Sequence, residues 1–481
     1  MSADATSLPL TSTSASAPVA RAAHRWAGLV VVCLGMMMTF LNITQTVATL
    51  APLQQDLHVS SADLVWVASV YSMVVASLVL SAGTLGDILG RRAVFAVGAA
   101  VLGAGSLVVF ASSSALGVIA GQAIMGAGGA LILPNSLAIV THAFTDPHER
   151  TTAVSIWAAV SGIGLAIGPL TAGALLEVFS WHSVFLVNVV LAVAVLALTR
   201  VFVADSRHPD RRLDRPGLVL AILAIASLNY AVIEGGHGSL GDTKVVAAFV
   251  VAVIAGLAFV GVEARSRTPM LQLPLFRIPS FSAANAVAVV AQYGAVGIPI
   301  AQVLYFELVR HESILSTGLL LLPLMATYVI VSSVAAWIVR RAGFKATISA
   351  GLLLSAAGTL LMLTQQPTTS FALTAVFLTV FGAGIGLILP PATAAAVISV
   401  PHREGGMASG TVNMFRQVGN TLGASITGTI VTSGLASRLP TQSFGDAFAG
   451  AMHTAVLVPG IAALVGAGAA VAFINARPAH R

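Results

Sequence analysis

The chain repeats one pattern fourteen times: an apolar run of about one membrane thickness, then a short polar break. The runs cover roughly 26–50, 64–84, 93–112, 115–141, 153–177, 183–202, 216–236, 244–264, 282–306, 315–338, 345–365, 371–397, 406–432 and 452–474. A helix crosses ~30 Å of hydrocarbon with about 20 residues, so each run predicts one transmembrane helix. Only 8% of the 481 residues are charged, against ~25% in a soluble domain. Soluble enzymes, nucleic-acid binders and disordered scaffolds are excluded, and the expected solvent is the lipid bilayer. The net charge of +6 is spread thinly between apolar runs, so it does not point to nucleic acid. Cys33, the sole cysteine, lies inside the first run and excludes an intrachain disulfide.

An even number of spans puts both termini on one side. Nineteen Lys and Arg residues fall on that side, among them Arg21, Arg25, Arg91, Arg92, Arg207, Arg211, Arg212, Arg267, Arg340, Arg341, Lys345, Arg403, Arg477 and Arg481. Only Lys244, Arg310 and Arg438 fall on the other, so the positive-inside rule predicts cytoplasmic termini. The first run is too long for a signal-peptide core and has no suitable small-residue cleavage site. Residues 1–25 read as a disordered cytoplasmic tail, and 475–481 as a second cytoplasmic tail.

Gly126-Ala127-Gly128-Gly129-Ala130-Leu131-Ile132-Leu133-Pro134 recurs, with few changes, at Gly382-Ala383-Gly384-Ile385-Gly386-Leu387-Ile388-Leu389-Pro390. Each copy precedes a Pro-His loop carrying charge, at Pro147 and at Pro401. The expected fold is therefore all-α: a six-helix bundle over 26–202, a linker with two extra spans over 203–281, and a second six-helix bundle over 282–474. Parallel repeats of this kind place a substrate path at their interface, near the midplane.

The loop after the second span reads Gly83-Thr84-Leu85-Gly86-Asp87-Ile88-Leu89-Gly90-Arg91-Arg92. It is a tight turn in which the arginines anchor to the inner face and Asp87 is placed to cap a helix N-terminus. The fifth span carries Gly164, Gly168, Pro169 and Gly173, a small-residue face that lets helices approach closely. These two segments resemble motif A (G-x-L-x-D-r-x-G-r-r) and motif C (G-x-x-x-G-P-x-x-G-G) of the major facilitator superfamily. Ile88 stands where motif A has a basic residue, and Ala172 replaces one motif C glycine. With fourteen spans, Glu234-Gly235-Gly236 and Arg416-Gln417-Val418-Gly419, nearly the whole chain resembles the 14-span drug:proton antiporter branch. Actinobacterial antibiotic-resistance exporters, including lincomycin-type resistance proteins, share its size and texture.

The resemblance implies a secondary transporter that exports a small amphipathic antibiotic or drug by alternating access, coupled to protons. It implies no enzyme activity, cofactor or ATP, and no GxxxxGK[ST] loop occurs. A facilitator or uptake carrier for a small metabolite is the alternative. The family's first span usually carries an acid where this chain has Asn42, and its fourth an arginine where this chain has Gln122. Both amides lie ~10–12 Å from the same membrane face, at matching depth for a mutual hydrogen bond. Gln45, Thr46 and Thr49 follow Asn42 at helical spacing, and this polar face reads either as substrate lining or as interhelical hydrogen bonding. Arg416 lies ~18 Å deep, near the midplane, with Asn413, Gln417 and Asn420 on its face. A charge there is functional by default, with an arginine held by backbone carbonyls as the rival reading. Neither amide titrates in the physiological range, which leaves Asp87, Glu307 or a histidine tuned by its surroundings as candidate proton carriers. The histidines are scattered singly, without metal-ligand spacing.

Overall fold

The computed structural model describes residues 16–206, 214–237, 241–266, 269, 271–401 and 405–475. Within them the chain forms helices α1 (Ser16–Leu57), α2 (Ser61–Leu89), α3 (Arg91–Phe110), α4 (Ala115–Ala143), α5 (Pro147–Leu176), α6 (His182–Phe202) and α7 (Arg215–His237). They continue as α8 (Thr243–Arg265), α9 (Pro279–Leu304), α10 (Ile314–Leu320), α11 (Leu322–Leu361), α12 (Phe371–Ile398), α13 (Gly405–Arg438) and α14 (Phe444–Phe473). A π-helical turn, Tyr305–Val309, extends α9.

Ten stretches among the described residues are long and apolar enough to cross a membrane, and the α2 pieces Asp63–Val79 and Ser81–Leu89, bent by 55°, make an eleventh. One of the ten, Leu315–Thr364, has fifty residues, or ~75 Å of helix. That is more than twice the hydrocarbon thickness. Gly343, with φ 81 and ψ 166, breaks it into two crossings. Helices α5 and α13 have 30 and 34 residues, enough to span. Their small and polar residues lower their hydropathy because their faces are buried in protein rather than lipid.

The helix ends show how the sequence sets the crossings. α2, α4, α8, α10 and α14 all start on the face that carries few basic residues, with Ser60, Ser114, Asp242, Ser313 and Ser443 capping them through side-chain oxygens. Each cap satisfies a backbone N–H that the first turn leaves unpaired. At the opposite face, Gly90 (φ 106) turns the chain from α2 into α3, a conformation costly for any residue with a Cβ. Gly90 occupies the N-cap of α3 without a side-chain cap bond. Asp87 does not fill that place and instead binds Arg91.

One further expectation changes. Residues 16–25 are helical, because α1 starts at Ser16; Pro18 is tolerated in a first turn and the following alanines favour helix. Residues 1–15, 476–481 and Arg207, Arg211, Arg212, Arg267, Arg403, Arg477 and Arg481 of the charge asymmetry lie outside the described residues.

The two six-helix units pack alike. In the first, α4 lies between α2 and α3, and α1 packs on α5 and α6; in the second, α12 packs along both arms of α11, and α9 packs on α13 and α14. The repeated glycines explain the likeness. Gly126 faces the backbone of Tyr71 and Gly382 that of Leu324, while Gly128 faces Gly98 and Leu102 and Gly384 faces Gly351 and Ser355. Lipid supplies no hydrophobic force between helices, so such close backbone approach holds them by van der Waals contact. Inserted helix α7 lies against α2 and α13, one from each unit, and α8 packs on α7.

An added Cβ at Gly128 would lie 2.6 Å from the Gly98 carbonyl oxygen and 2.8 Å from the Leu102 Cα, both immovable backbone. A Cβ at Gly256 on α8 meets nothing within 4 Å. Gly128→Val should therefore lower stability by at least ~1–3 kcal/mol, while Gly256→Val stays neutral. Thermal unfolding and monodisperse yield in detergent measure this, and equal behaviour of the two variants would contradict it.

Candidate functional site

Among the buried polar clusters of the described residues, two hold the residues singled out above, one within the first unit and one where the units meet. The first is built on α1. Asn42 donates from Nδ2 to Gln122 Oε1 on α4 at 3.0 Å, and Gln122 Nε2 donates to Thr46 Oγ1 at 2.7 Å. Thr46 donates in turn to the Asn42 carbonyl at 2.8 Å, and Thr49 to the Thr46 carbonyl at 2.9 Å. Gln45 donates to Thr171 on α5 at 3.1 Å and accepts from Asn188 on α6 at 3.0 Å. Asn42, Gln45, Thr46, Thr49 and Gln122 are all buried. Four helices are thus tied by neutral groups only, which avoids the cost of charge in a dry interior.

The second cluster surrounds Arg416, only 6% exposed. Its Nε donates to Gln292 Oε1 on α9 at 3.2 Å, and its guanidinium lies 5.9 Å from the centre of the Phe40 ring on α1. Tyr328 on α11 is its electrostatic neighbour. Three helices of two units converge on one cation. Asn420 Nδ2 donates to Gln417 Oε1 at 2.7 Å beside it, and Asn413 keeps a buried Nδ2 with no acceptor. Glu307 does not pair with Arg416; the ion pairs among the described residues are Arg25–Glu149 and Arg91–Asp87. Backbone carbonyls do not hold Arg416 either: its hydrogen bond goes to a side chain.

Sequence reasoning missed Thr171, Asn188, Gln292, Phe40 and Tyr328. Asn188 and Gln292 carried a usable signal, each being a lone amide inside an apolar run. Nothing local marked Phe40 or Tyr328, whose roles arise only when the two units meet.

Gly164 and Gly168 pack on α1, against Met37, Phe40 and Thr44. Gly173 faces Leu315, and Pro169 faces Gly318, both on α10 of the other unit. Gly162 sits under the Tyr328 ring. On the other flank, Ser425 Oγ of α13 lies 3.3 Å from Ser69 Oγ of α2 and 3.3 Å from Asn229 Oδ1 of α7. These contacts close the seam between the units at the face that bears Ser60 and Leu315.

At the other face, Arg91 donates to Asp87 Oδ1 from Nε at 3.1 Å and from Nη2 at 2.9 Å. Its Nη1 reaches the Ala138 carbonyl on α4 at 3.4 Å. A Cβ on Gly86 would strike Asn135, whose amide donates to the Ala82 carbonyl at 3.1 Å. Gly83 lies against Pro134 of α4, and the Arg92 N–H donates to Asp205 Oδ1 at 3.3 Å. Gly83–Leu89 are the last turns of α2 rather than a loop, and this segment pins α2 to α3, α4 and the stretch after α6. Glu307, in the π turn at the opposite face, keeps a buried Oε1 without a hydrogen-bond partner.

The comparisons with known proteins agree with this architecture. The multidrug resistance protein Stp of Mycobacterium tuberculosis (strain CDC 1551 / Oshkosh) is 33% identical over 412 residues, covering 85% of this chain and 76% of that one. The puromycin resistance protein pur8 of Streptomyces alboniger is 32% identical over 445 residues, 91% of this chain and 87% of its own. The multidrug efflux pump LfrA of Mycolicibacterium smegmatis (strain ATCC 700084 / mc(2)155) is 30% identical over 410 residues, 85% of this chain and 81% of its own. Among solved structures, the human organic anion transporter MFSD10 (TETRAN) superposes with a TM-score of 0.64 at 15% identity, over 91% of this chain and 99% of its own. A bacterial homolog of the human lysosomal transporter Spinster, inward-facing and unoccupied, gives 0.64 at 13%, over 93% and 96%. At these identities the two structures speak for the fold alone. The family model described as Major Facilitator Superfamily matches residues 30–424 and, in an overlapping second match, 288–481. With two like six-helix units closing on a buried polar seam, the chain belongs to the Major Facilitator Superfamily and is a membrane transporter, not an enzyme.

Proposed function

We propose that this chain exports small amphipathic antibiotics or other drugs across the plasma membrane by alternating access, driven by the proton gradient. The observation that carries this reading is the seam: a cation and several amides are buried where two like units meet, in a chain whose relatives are named for drug resistance and efflux. The moving units are 26–202 and 282–474, with 203–281 as the insert. Asn42, Gln45, Thr46, Thr49, Gln122, Asn413, Arg416, Gln417 and Asn420 line the path. The Gly83–Arg92 segment, through the Asp87–Arg91 pair, biases which face is open. The Gly164, Gly168, Pro169 and Gly173 face lets the seam shut.

The excess of basic residues on one face supports cytoplasmic termini. A C-terminal alkaline-phosphatase fusion should be inactive; full activity would overturn the topology. Expression in an efflux-deficient bacterium should raise the inhibitory concentration of one or more amphipathic drugs at least about fourfold, and a protonophore should abolish the gain. A panel with no gain would overturn the export reading.

Proton coupling runs through Glu307. Asp87 is engaged by two hydrogen bonds from Arg91, and the Asn42–Gln122 pair has no proton to exchange near neutrality. Glu307 is a half-buried carboxylate on a π turn, a distortion frequent at functional sites. The turn packs against α9, α10 and α14, and the charged groups nearby are engaged elsewhere. Arg310 donates to the Pro367 and Thr369 carbonyls, Asp446 accepts from Ser443, and His453 meets the Gln365 carbonyl. His311 and Glu312 lie on the exit from the turn. Substrate-induced proton movement in proteoliposomes should vanish in Glu307→Gln and persist at wild-type stoichiometry in Asn42→Ala and Gln122→Ala. Coupling that survives in Glu307→Gln would remove the role. The neutral amide pair also favours a second reading, a facilitator, which absence of proton movement in the wild type would support.

A further inference from the structure

The Arg416 side chain is more than nine-tenths buried, yet most of its hydrogen-bonding capacity is unused. Nε donates to Gln292, and among the described residues neither Nη group donates to an acceptor. No carboxylate forms an ion pair with it among the described residues. A buried cation left in this condition is costly unless something supplies paired acceptors. Around it, Asn420 Oδ1 and Asn42 Oδ1 are buried acceptors without a partner, but neither meets the guanidinium. Asn413, one helical turn earlier on the same face, holds a buried Nδ2 with no acceptor. The neighbouring first-unit cluster is electrically neutral, because it is built from amides and hydroxyls, with Asn42 donating to Gln122. The Phe40 ring, 5.9 Å from the guanidinium, adds an aromatic wall beside the charge.

We infer that this site takes amphipathic organic anions, with a carboxylate or similar planar oxyanion seated on the Arg416 fork and an apolar or aromatic body against Phe40. A planar guanidinium with two free N–H groups matches a carboxylate in a two-point contact, and such charge-assisted pairs are about twice as strong as neutral ones. The Asn413 amide supplies a third donor. A cationic compound would meet an unopposed positive charge and no carboxylate, so the site discriminates against it. This inference rests on the export reading and adds the charge class of the substrate to it.

The test uses the purified full chain in lipid nanodiscs and three probes with one ring system: 1-naphthaleneacetate, 1-naphthaleneacetamide and 1-naphthalenemethylammonium. Calorimetric titration should rank the acetate about tenfold or more tighter than the amide, with the ammonium weakest. Arg416→Gln should bring the acetate down to the amide's level and leave the amide within about twofold, which also shows that the variant is folded. Asn413→Asp places a carboxylate within reach of the fork and should erase the acetate preference while retaining the arginine. An ammonium that binds as tightly as the acetate, a preference that survives both variants, or no acetate binding at millimolar concentration would each overturn the assignment. If resistance is conferred but the head-group ranking fails, the charge class falls and export stands. If the susceptibility panel fails while the ranking holds, the export reading falls alone.

Discussion

Everything in this molecule depends on how closely one helix backbone can approach another. In water, burial of apolar side chains would drive the helices together; in lipid that force is absent, and close van der Waals packing takes its place. Gly98 against Gly128 and Gly351 against Gly384 show the result within each unit. Gly164 and Gly168 against α1, and Gly173 against α10, show it within the first unit and across the seam. A shared packing face explains why the repeat is visible in sequence although most of the apolar residues around it differ. Lipid-facing positions are interchangeable, and glycines facing backbone are not.

The cluster on α1 and the cluster around Arg416 follow different logics. The first cluster spends its polar atoms on one another, through Asn42, Gln122, Thr46, Gln45, Asn188 and Thr171, and forms a neutral brace across four helices. Arg416 projects from the second unit toward Phe40 of the first. The electrostatic asymmetry of the seam thus comes from a single residue.

The sequence made the all-helical membrane class legible through run length and charge depletion, and it revealed the repeat through Gly126 and Gly382. The hydrogen bond between Asn42 and Gln122 was also accessible, because depth along two helices can be counted from a shared face. What could not be read was lateral position. Helix periodicity says which residues share a face, but not which neighbour that face meets, so Phe40, Tyr328 and Gln292 were missed beside Arg416. Asp87 was misread for a related reason: capping and pairing with Arg91 are both available to a carboxylate at a helix end, and only the backbone of Gly90 decides between them. The helical start at Ser16 was hidden by a Ser- and Thr-rich leader, although the alanines near Pro18 favour helix.

The insert also has a mechanical consequence. α7 touches both units on one flank: its Asn229 reaches Ser425 of α13, and its Glu234 accepts from the Trp66 indole of α2 at 3.3 Å. If the units part at that face, α7 can follow only one of them, so one attachment must let go. The hydrogen bonds are only part of each attachment, because α7 also packs along α2 and α13 and its Tyr230 ring lies 6.0 Å from the Trp66 ring. Each hydrogen bond adds about 1 kcal/mol net to that packing, so parting at this face must also open or slide one helix interface. The extra pair of helices, which adds no residue to the two polar clusters described above, thereby couples any parting of the units to repacking on one flank.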